Sequence, residues 1–384
     1  MDLSALIPHH GCCCCIVLYG QNAEYLVLAL VLARRLLRIS EGKYPLLVLP
    51  TADVPHEFRR ALETVGCFVC SDIERLRMHP DLLRSAEGRH CCALTKLQVL
   101  GLECARIKKI LLVDVDILPC GMLNLDAIFN LDAPAALLSP ANLMNVRQLQ
   151  PGEKVPNEWL AVSGHGIGAR FNAGVMLLTP NRTLLQAIIK EVGVCVSPSW
   201  RRLNDAEDVV SPIFGRPWRP TWTPEEDALT RAMLFLFPGT TWTHLGASYN
   251  FEVEGRKVYF ADSPMAAEHA SLALNQVAML HFVGSRKPSY YAWSLARGTW
   301  QRRDIECWLR QEHRSRDPDY VIATATMLWL EAFVEMLTYA RVEMQLDVLN
   351  IIDWPTQGTI RLRRKSHHRS RSPRSRTRDT PQDS

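Results

Sequence analysis

Lys109-Ile110-Leu111-Leu112-Val113-Asp114-Val115-Asp116 is the stretch on which the reading of this 384-residue chain turns. Four apolar residues end in two carboxylates spaced two apart, and the run reads as a buried strand over 109–116. Side chains two apart on a strand share a face, so both carboxylates aim at one spot. They stand where the apolar run ends, and open α/β sheets bind ligands beyond the carboxyl ends of their strands. Two like charges so close are costly unless a cation stands between them. A hard divalent ion held by carboxylates and phosphate oxygens meets that need. On this reading Asp116→Asn relieves repulsion and leaves the metal-free protein at least as stable.

Outward from this stretch, strand and helix patterns alternate. Cys13–Tyr19 reads as a first strand, 24–38 as a helix ending in Arg34, Arg35 and Arg38, and Tyr44–Leu49 as a second strand. Pro55–Thr64 reads as a helix, Val65–Cys70 as a third strand and 94–105 as a further helix. Phe171–Leu178, a helix within Trp222–Leu236 and a short strand in Val277–Val283 follow. The alternation predicts an α/β fold with a largely parallel sheet. Residues 131–170 read as a long irregular loop with four prolines and a GHGIG stretch, Gly164–Gly168, that lacks the flanking strand and helix of a nucleotide fingerprint.

The chain changes character after Trp300. Residues 318–350 predict one long helix, with Asp317 as its N-cap and Pro318 at its first position. Its length suits a membrane span, but Glu331 and Glu335 interrupt the apolar run, so packing on the body or on a partner protein is the expectation. Residues 361–384 carry nine Arg and Lys against two Asp, a net of +7 that leaves −3 for residues 1–360 out of the whole-chain +4. The body is therefore no nucleic-acid binder, and only the Arg/Ser-rich tail has RNA-binding or phosphorylation-tuned chemistry, against the plain reading of a solvated tail. The twelve cysteines include the run Cys12–Cys15. That is no spaced disulfide framework, and they read as small buried hydrophobes in a reducing compartment. Residues 1–10 lack the basic and apolar regions of a signal peptide, so the expected location is cytoplasmic, with a C-terminal membrane anchor as the alternative.

Four more segments carry candidate chemistry. His281-Phe282-Val283-Gly284-Ser285-Arg286-Lys287-Pro288 offers a histidine ligand at a strand end, a glycine for close approach and a lysine able to hold a diphosphate. The imidazole nitrogen tilts the ion toward Mn2+ over Mg2+. Phe171-Asn172-Ala173-Gly174-Val175 places an amide beside a glycine, suited to a sugar hydroxyl or to a turn. Pro224-Glu225-Glu226-Asp227 opens a helix with three carboxylates, which by itself reads as dipole complementation. Leu94-Thr95-Lys96 puts a lysine in the first turn of a helix, by itself a surface residue.

In this order the five segments resemble glycosyltransferase family 8, the glycogenin-like enzymes, over about Cys12 to Tyr291. The L-T-K start, the D-x-D in LLVDVDILP, the N-L-D-A-I-F segment, the F-N-x-G-V strand and the H-F-x-G-x-x-K-P ending all match. The family's D-Q-[GD]-x-L-N helix start is matched only loosely, with Glu225, Glu226 and Thr230 where Asp, Gln and Asn are usual. The resemblance implies a GT-A type Rossmann-like mixed sheet flanked by helices, Mn2+ with Mg2+ as alternative, a UDP-sugar donor and a retained anomeric configuration. Asp114, Asp116 and His281 would be metal ligands, and Tyr25 would stack on uracil. Lys96, Gly284 and Lys287 would hold the diphosphate or donor sugar. Asn172, Ala173, Gly174 and Asp227 would contact the sugar, with Lys287, Asp227 and Glu225 the catalytic set. The acceptor is a glycan, a protein or a polyol. For self-glucosylation, Tyr249, Tyr259, Tyr290 and Tyr291 are candidates without a residue-level match.

The expected organisation is a GT-A catalytic domain over 11–300, a helical extension over 301–352 and a disordered tail over 353–384, with a homodimer as one assembly. Two other readings compete. A sugar-nucleotide pyrophosphorylase needs a glycine-rich loop after the first strand, which Gly20-Gln21-Asn22-Ala23 is not. A catalytically impaired binding or scaffold protein is favoured by Glu225-Glu226 and opposed by the intact D-x-D and histidine. Because residues 363–384 lack apolar content, a chain ending near Asp353 is expected to keep full affinity for UDP. Loss of UDP binding on tail removal, measured by calorimetry, overturns that.

Overall fold

Every residue of the run Cys12–Leu18 is buried, because this strand lies in the middle of a sheet covered on both faces. A computed structural model describes residues 7, 11–77, 90–102, 106–139, 147–160, 171–195, 209–210, 217–218, 223–254, 264–283, 287–313, 320–342, 344 and 348. The first half comprises β1 (Cys12–Leu18), α1 (Ala23–Ser40), β2 (Leu46–Pro50), α2 (His56–Val65), β3 (Phe68–Val69), a 3₁₀ helix (His90–Gly101), β4 (Lys109–Val113), β5 (Ile117–Pro119), α3 (Leu125–Phe129), β6 (Ala135–Leu138), β7 (Lys154–Pro156) and α4 (Asn157–Leu160). The second half comprises β8 (Phe171–Leu178), α5 (Arg182–Cys195), β9 (Val209–Val210), β10 (Pro217–Trp218), α6 (Pro224–Leu236), β11 (Thr241–His244), β12 (Phe251–Glu252), α7 (Pro264–Ser271), β13 (Met279–His281), α8 (Ser289–Ala296), α9 (Arg302–His313) and α10 (Val321–Val342).

The main sheet has eight strands in the order β3-β2-β1-β4-β8-β6-β11-β7, and a second sheet has the order β12-β13-β5. The period of two divides β1 between two cores. Cys12, Cys14 and Ile16 pack with α1, α8, α9 and α10, whereas Cys13, Cys15 and Val17 pack with the 3₁₀ helix, α5 and α6. The cysteines of this run are free thiols. Burial pushes the Cys14 thiol up to about 12, so it behaves as a small hydrophobe.

Three expectations are corrected. The sheet is mixed, as the family resemblance implies, and not largely parallel as the strand–helix alternation alone predicts: β1 to β4 pair in parallel, but β8 runs antiparallel to both β4 and β6. β4 ends at Val113, and the chain turns away into β5, which joins the second sheet. Asp114 and Asp116 therefore sit on a turn, closed by the Ile117 N–H donating to Asp114 O at 3.2 Å, and not on the strand. The segment 131–170 holds β6, β7 and α4. Its Gly164–Gly168 stretch lies outside the described residues, as do residues 103–105 of the expected 94–105 helix, whose described part is 3₁₀.

α10 has the length and apolarity to cross a membrane, yet 61% of its apolar window is buried inside the protein. Trp329 and Phe333 stack at 5.6 Å and are fully buried. Glu335 pairs with Arg38 and, at 3.6 Å, with Arg35 of α1, and Glu331 pairs with Arg302. Arg34 lies 3.5 Å from the Tyr339 ring centroid. The two glutamates that interrupt the apolar run thus face cations of the body. Exposed pairs of this kind contribute under about 1 kcal/mol each, while truncating a buried Phe costs about 3–5 kcal/mol. Phe333→Ala is therefore expected to lower the stability of the whole chain far more than Glu335→Ala, as read by denaturant midpoints; equal effects overturn this account of the docking.

Candidate functional site

Three strand registers bring the candidate residues together. The β4–β8 ladder sets Val113 opposite Val175, and the Asp114 N–H donates to Gly174 O at 2.8 Å. The antiparallel β13–β5 pair sets His281 opposite Ile117, and the Phe282 N–H donates to Asp116 O at 3.0 Å. The parallel β12–β13 pair sets Glu252 beside His281. As a result one ligand atom each of Asp114, Asp116 and His281 lies within 4.8 Å of the others. This donor set of two carboxylates and one imidazole, His281 buried and the carboxylates half-buried, fits a divalent ion of the Mn2+ or Mg2+ type.

The carboxylates are not left facing one another uncompensated. Lys96 Nζ donates to Asp114 Oδ2 at 2.8 Å and lies 3.2 Å from Glu225 Oε1. Lys287 Nζ donates to Asp116 Oδ2 at 2.5 Å and to Phe282 O at 2.6 Å. Burial works to raise the Asp116 pKa, but the Lys287 ammonium beside it outweighs burial and holds the carboxyl well below its ordinary range. Burial, with the neighbouring Asp116 charge, raises Asp114 despite Lys96. Lys96 is held above its ordinary value, because Asp114 and Glu225 overcome its desolvation. It is a buried lysine in the middle of a 3₁₀ helix, not a surface lysine in a helix's first turn.

A cleft of about 290 Å³ is lined by these residues together with Tyr19, Tyr25, Asn172, Ala173, Gly174, Thr223, Glu225 and Glu226. The Tyr19 and Tyr25 rings stand 6.3 Å apart, tilted by 37°. Gly174 has a steric reason to be glycine: a Cβ there would lie 2.4 Å from His281 Cε1 and 2.6 Å from Nδ1. The Asn172 carboxamide is engaged by its neighbours, Oδ1 taking the Gly174 N–H at 2.8 Å and Nδ2 donating to Glu252 Oε1 at 2.5 Å. Glu225 and Glu226 line the cleft, whereas Asp227 is buried and is not among the lining residues. Gly284 lies outside the described residues.

The sequence reading passed over Tyr19, Asn250 and Glu252 and gave Glu226 no role in the site. Tyr19 ends the first apolar run and carries no motif of its own. Glu226 was read as helix-dipole charge, yet it is buried and accepts the Ala173 N–H at 2.9 Å. Desolvation, with the adjacent Glu225 charge, raises its pKa well above the ordinary 4.5. A neutral carboxyl has the shape of the amide usual at this place in the resembled pattern. Glu225 Oε2 is buried without a hydrogen-bond partner among the described residues.

The family described as Glycosyl transferase family 8 matches residues 15–291. An uncharacterised protein of Acanthamoeba polyphaga mimivirus is 27% identical over 272 residues, 71% of this chain and 80% of that protein. Galactinol synthase 10 of Arabidopsis thaliana is 26% identical over 211 residues, 51% of this chain and 61% of that one. Among solved structures, the galactosyltransferase LgtC with donor and acceptor sugar analogues aligns with a TM-score of 0.45 at 19% identity, covering 71% of this chain and 88% of that one.

An acid whose pKa is raised on folding lends stability below its unfolded pKa and loses it as pH rises through the folded value. Glu226 is expected to do so from pH 4.5 upward. Glu226→Gln keeps the acceptor for the Ala173 N–H and removes the titration. Its stability is expected to lie close to that of the wild type at pH 4.5 and to exceed it by a margin that grows as pH rises. Thermal melts across this range check it; a gap that does not grow with pH overturns the neutral-acid assignment.

Proposed function

The chain belongs to glycosyltransferase family 8, and from that premise we propose that it transfers a hexose, glucose or galactose, from a UDP-sugar to a hydroxyl acceptor with retention of configuration, as a glycogenin-like enzyme that uses Mn2+. The observation that carries the proposal is the convergence of Asp114, Asp116 and His281 in one cleft with two lysines. A divalent ion bound there neutralises charge that builds on the leaving nucleoside diphosphate. Mg2+ is the alternative ion.

The chain's own residues divide the work. Tyr25, with Tyr19 beside it, offers an aromatic wall for the uracil. Lys287 is a point charge fixed by Asp116 and the Phe282 carbonyl, so it meets the diphosphate already oriented. Lys96 holds Asp114 and Glu225 in place from the other side. Glu225 and Glu226 lie on the cleft wall and take the donor-sugar contacts that the sequence reading gave to Asp227. Asn172, Ala173 and Gly174 form the strand edge on which those contacts rest. The acceptor hydroxyl attacks from the face the diphosphate leaves, and the acceptor is a glycan, a protein or a polyol.

UDP is expected to bind tightly with Mn2+ and weakly in chelator, and Asp116→Asn is expected to abolish that difference in calorimetric titration. Equal binding by the wild type in both conditions defeats the proposal. The geometry also reverses the stability expected of this variant. Asp116 is the partner of a largely buried lysine, so the metal-free Asn variant loses about 1–3 kcal/mol instead of gaining. Lys287→Ala is expected to lower turnover about 10²-fold, the scale for loss of one preorganised electrostatic donor.

A further inference from the structure

A line of hydrogen bonds runs behind His281, and chemistry fixes its direction. The Gly174 N–H, which can only donate, points at Asn172 at 2.8 Å, so the Asn172 atom it meets is the carbonyl oxygen Oδ1. The other half of that carboxamide, Nδ2, then donates to Glu252 Oε1 at 2.5 Å. Oδ1 also faces Asn250 at 2.8 Å, and an acceptor there requires Asn250 to present its Nδ2. Asn250 Oδ1 is left for His281 Nδ1 at 2.9 Å. That contact is a hydrogen bond only if Nδ1 carries the proton. The neutral ring then keeps its lone pair on Nε2, the atom 3.5 Å from Asp116 Oδ1.

We propose that Asn250 is a positioning residue that selects the metal-binding tautomer of His281, its own orientation being dictated by Asn172 between the Gly174 amide and Glu252. The assignment rests on the reading of Asp114, Asp116 and His281 as metal ligands. Burial gives it force. Asn250 is fully buried, and Glu252 and His281 are 4% and 5% exposed, so water cannot take over the role of the amide oxygen. The ring cannot swing to another acceptor on the strand side either, because it is packed against Gly174 where any Cβ would collide. Topology supplies the parts: Asn250 immediately precedes β12, whose Glu252 lies in register with His281 of β13. Outer-sphere partners that donate to or accept from a ligating histidine fix its tautomer and alter metal affinity by 10–100-fold.

The test uses the full chain. Nitrogen NMR of the metal-free wild type is expected to show His281 carrying a proton on Nδ1, and a ring protonated on Nε2 alone overturns the proposal with no variant needed. In titrations followed by Mn2+ electron paramagnetic resonance, Asn250→Ala is expected to weaken Mn2+ binding 10–100-fold and to shift the His281 signal away from the Nδ1–H form. Asn250→Asp restores an acceptor for Nδ1 but sets an oxygen against Asn172 Oδ1. It is expected to melt at a lower temperature than the wild type while keeping most of its Mn2+ affinity. A residue with only a packing role would show affinity falling in step with stability in both variants. Unchanged affinity in Asn250→Ala, or affinity tracking stability, overturns the assignment. A wild type that binds no Mn2+ defeats the metal reading instead, and the tautomer signal tells the two failures apart.

Discussion

Two carboxylates at the point where one sheet hands the chain to another set the terms for everything around them. Asp114 and Asp116 are two residues apart on a tight turn and half-buried. Each has one oxygen committed to its own lysine, Lys96 or Lys287, brought from opposite ends of the catalytic segment. The asymmetry between them follows from what else is near. Asp116 has the Lys287 ammonium against it, which outweighs desolvation, and its pKa falls. Asp114 is desolvated and faces the Asp116 charge, which Lys96 does not fully offset, and its pKa rises. The reading of the D-x-D as a pair held apart only by an ion was incomplete for this reason: the neutralising charges lie 18 residues before Asp114 and 171 residues after Asp116.

What was legible in the sequence was whatever local periodicity or a dense motif encodes. Phe171–Leu178 is a strand with the expected bounds, and the apolar stripe of α10 forms a helix packed on the body. The candidate metal ligands needed only a strand end, a two-residue spacing and a distant histidine. Three things were not legible. β6 and β7 have four and three residues among prolines, too few for a period to emerge. The direction of β8 is set by its pairing between β4 and β6, strands distant in sequence, and it leaves no local trace. The burial of Lys96 depends on which carboxylates the fold brings to it, and nothing in L-T-K distinguishes that from a solvated lysine.

The three carboxylates at the start of α6 show how a sound local argument loses to tertiary context. Acidic residues in a first helical turn complement the dipole, and on an exposed helix that suffices to explain them. Here all three are buried, Glu225 answers Lys96, and Glu226 answers a backbone amide of β8. Such burial is tolerated because each carboxyl has a partner or sheds its charge: Glu225 lies against Lys96, and desolvation raises the Glu226 pKa so that its neutral form is favoured. The departure from the resembled helix start is thus conservative in shape at Glu226, where a neutral carboxyl can occupy the place of an amide.

The same logic of one atom for one duty runs through the centre of the site. Lys287 takes Asp116 Oδ2, and Oδ1 of that carboxylate is the atom facing His281. Asn250 takes Nδ1 of the imidazole, and Nε2 faces the carboxylate. Gly174 gives its N–H to Asn172 and its carbonyl to Asp114, and by lacking a Cβ it leaves room for the ring. Lys287, His281 and Asp114 therefore each have another side fastened in place, by the Phe282 carbonyl, by buried Asn250 and by the Gly174 carbonyl. Preorganisation of this kind places the cost of orienting the site in folding and not in binding. It also explains why residues as unremarked as Asn250 and Gly174 matter as much to the arrangement as the carboxylates they support.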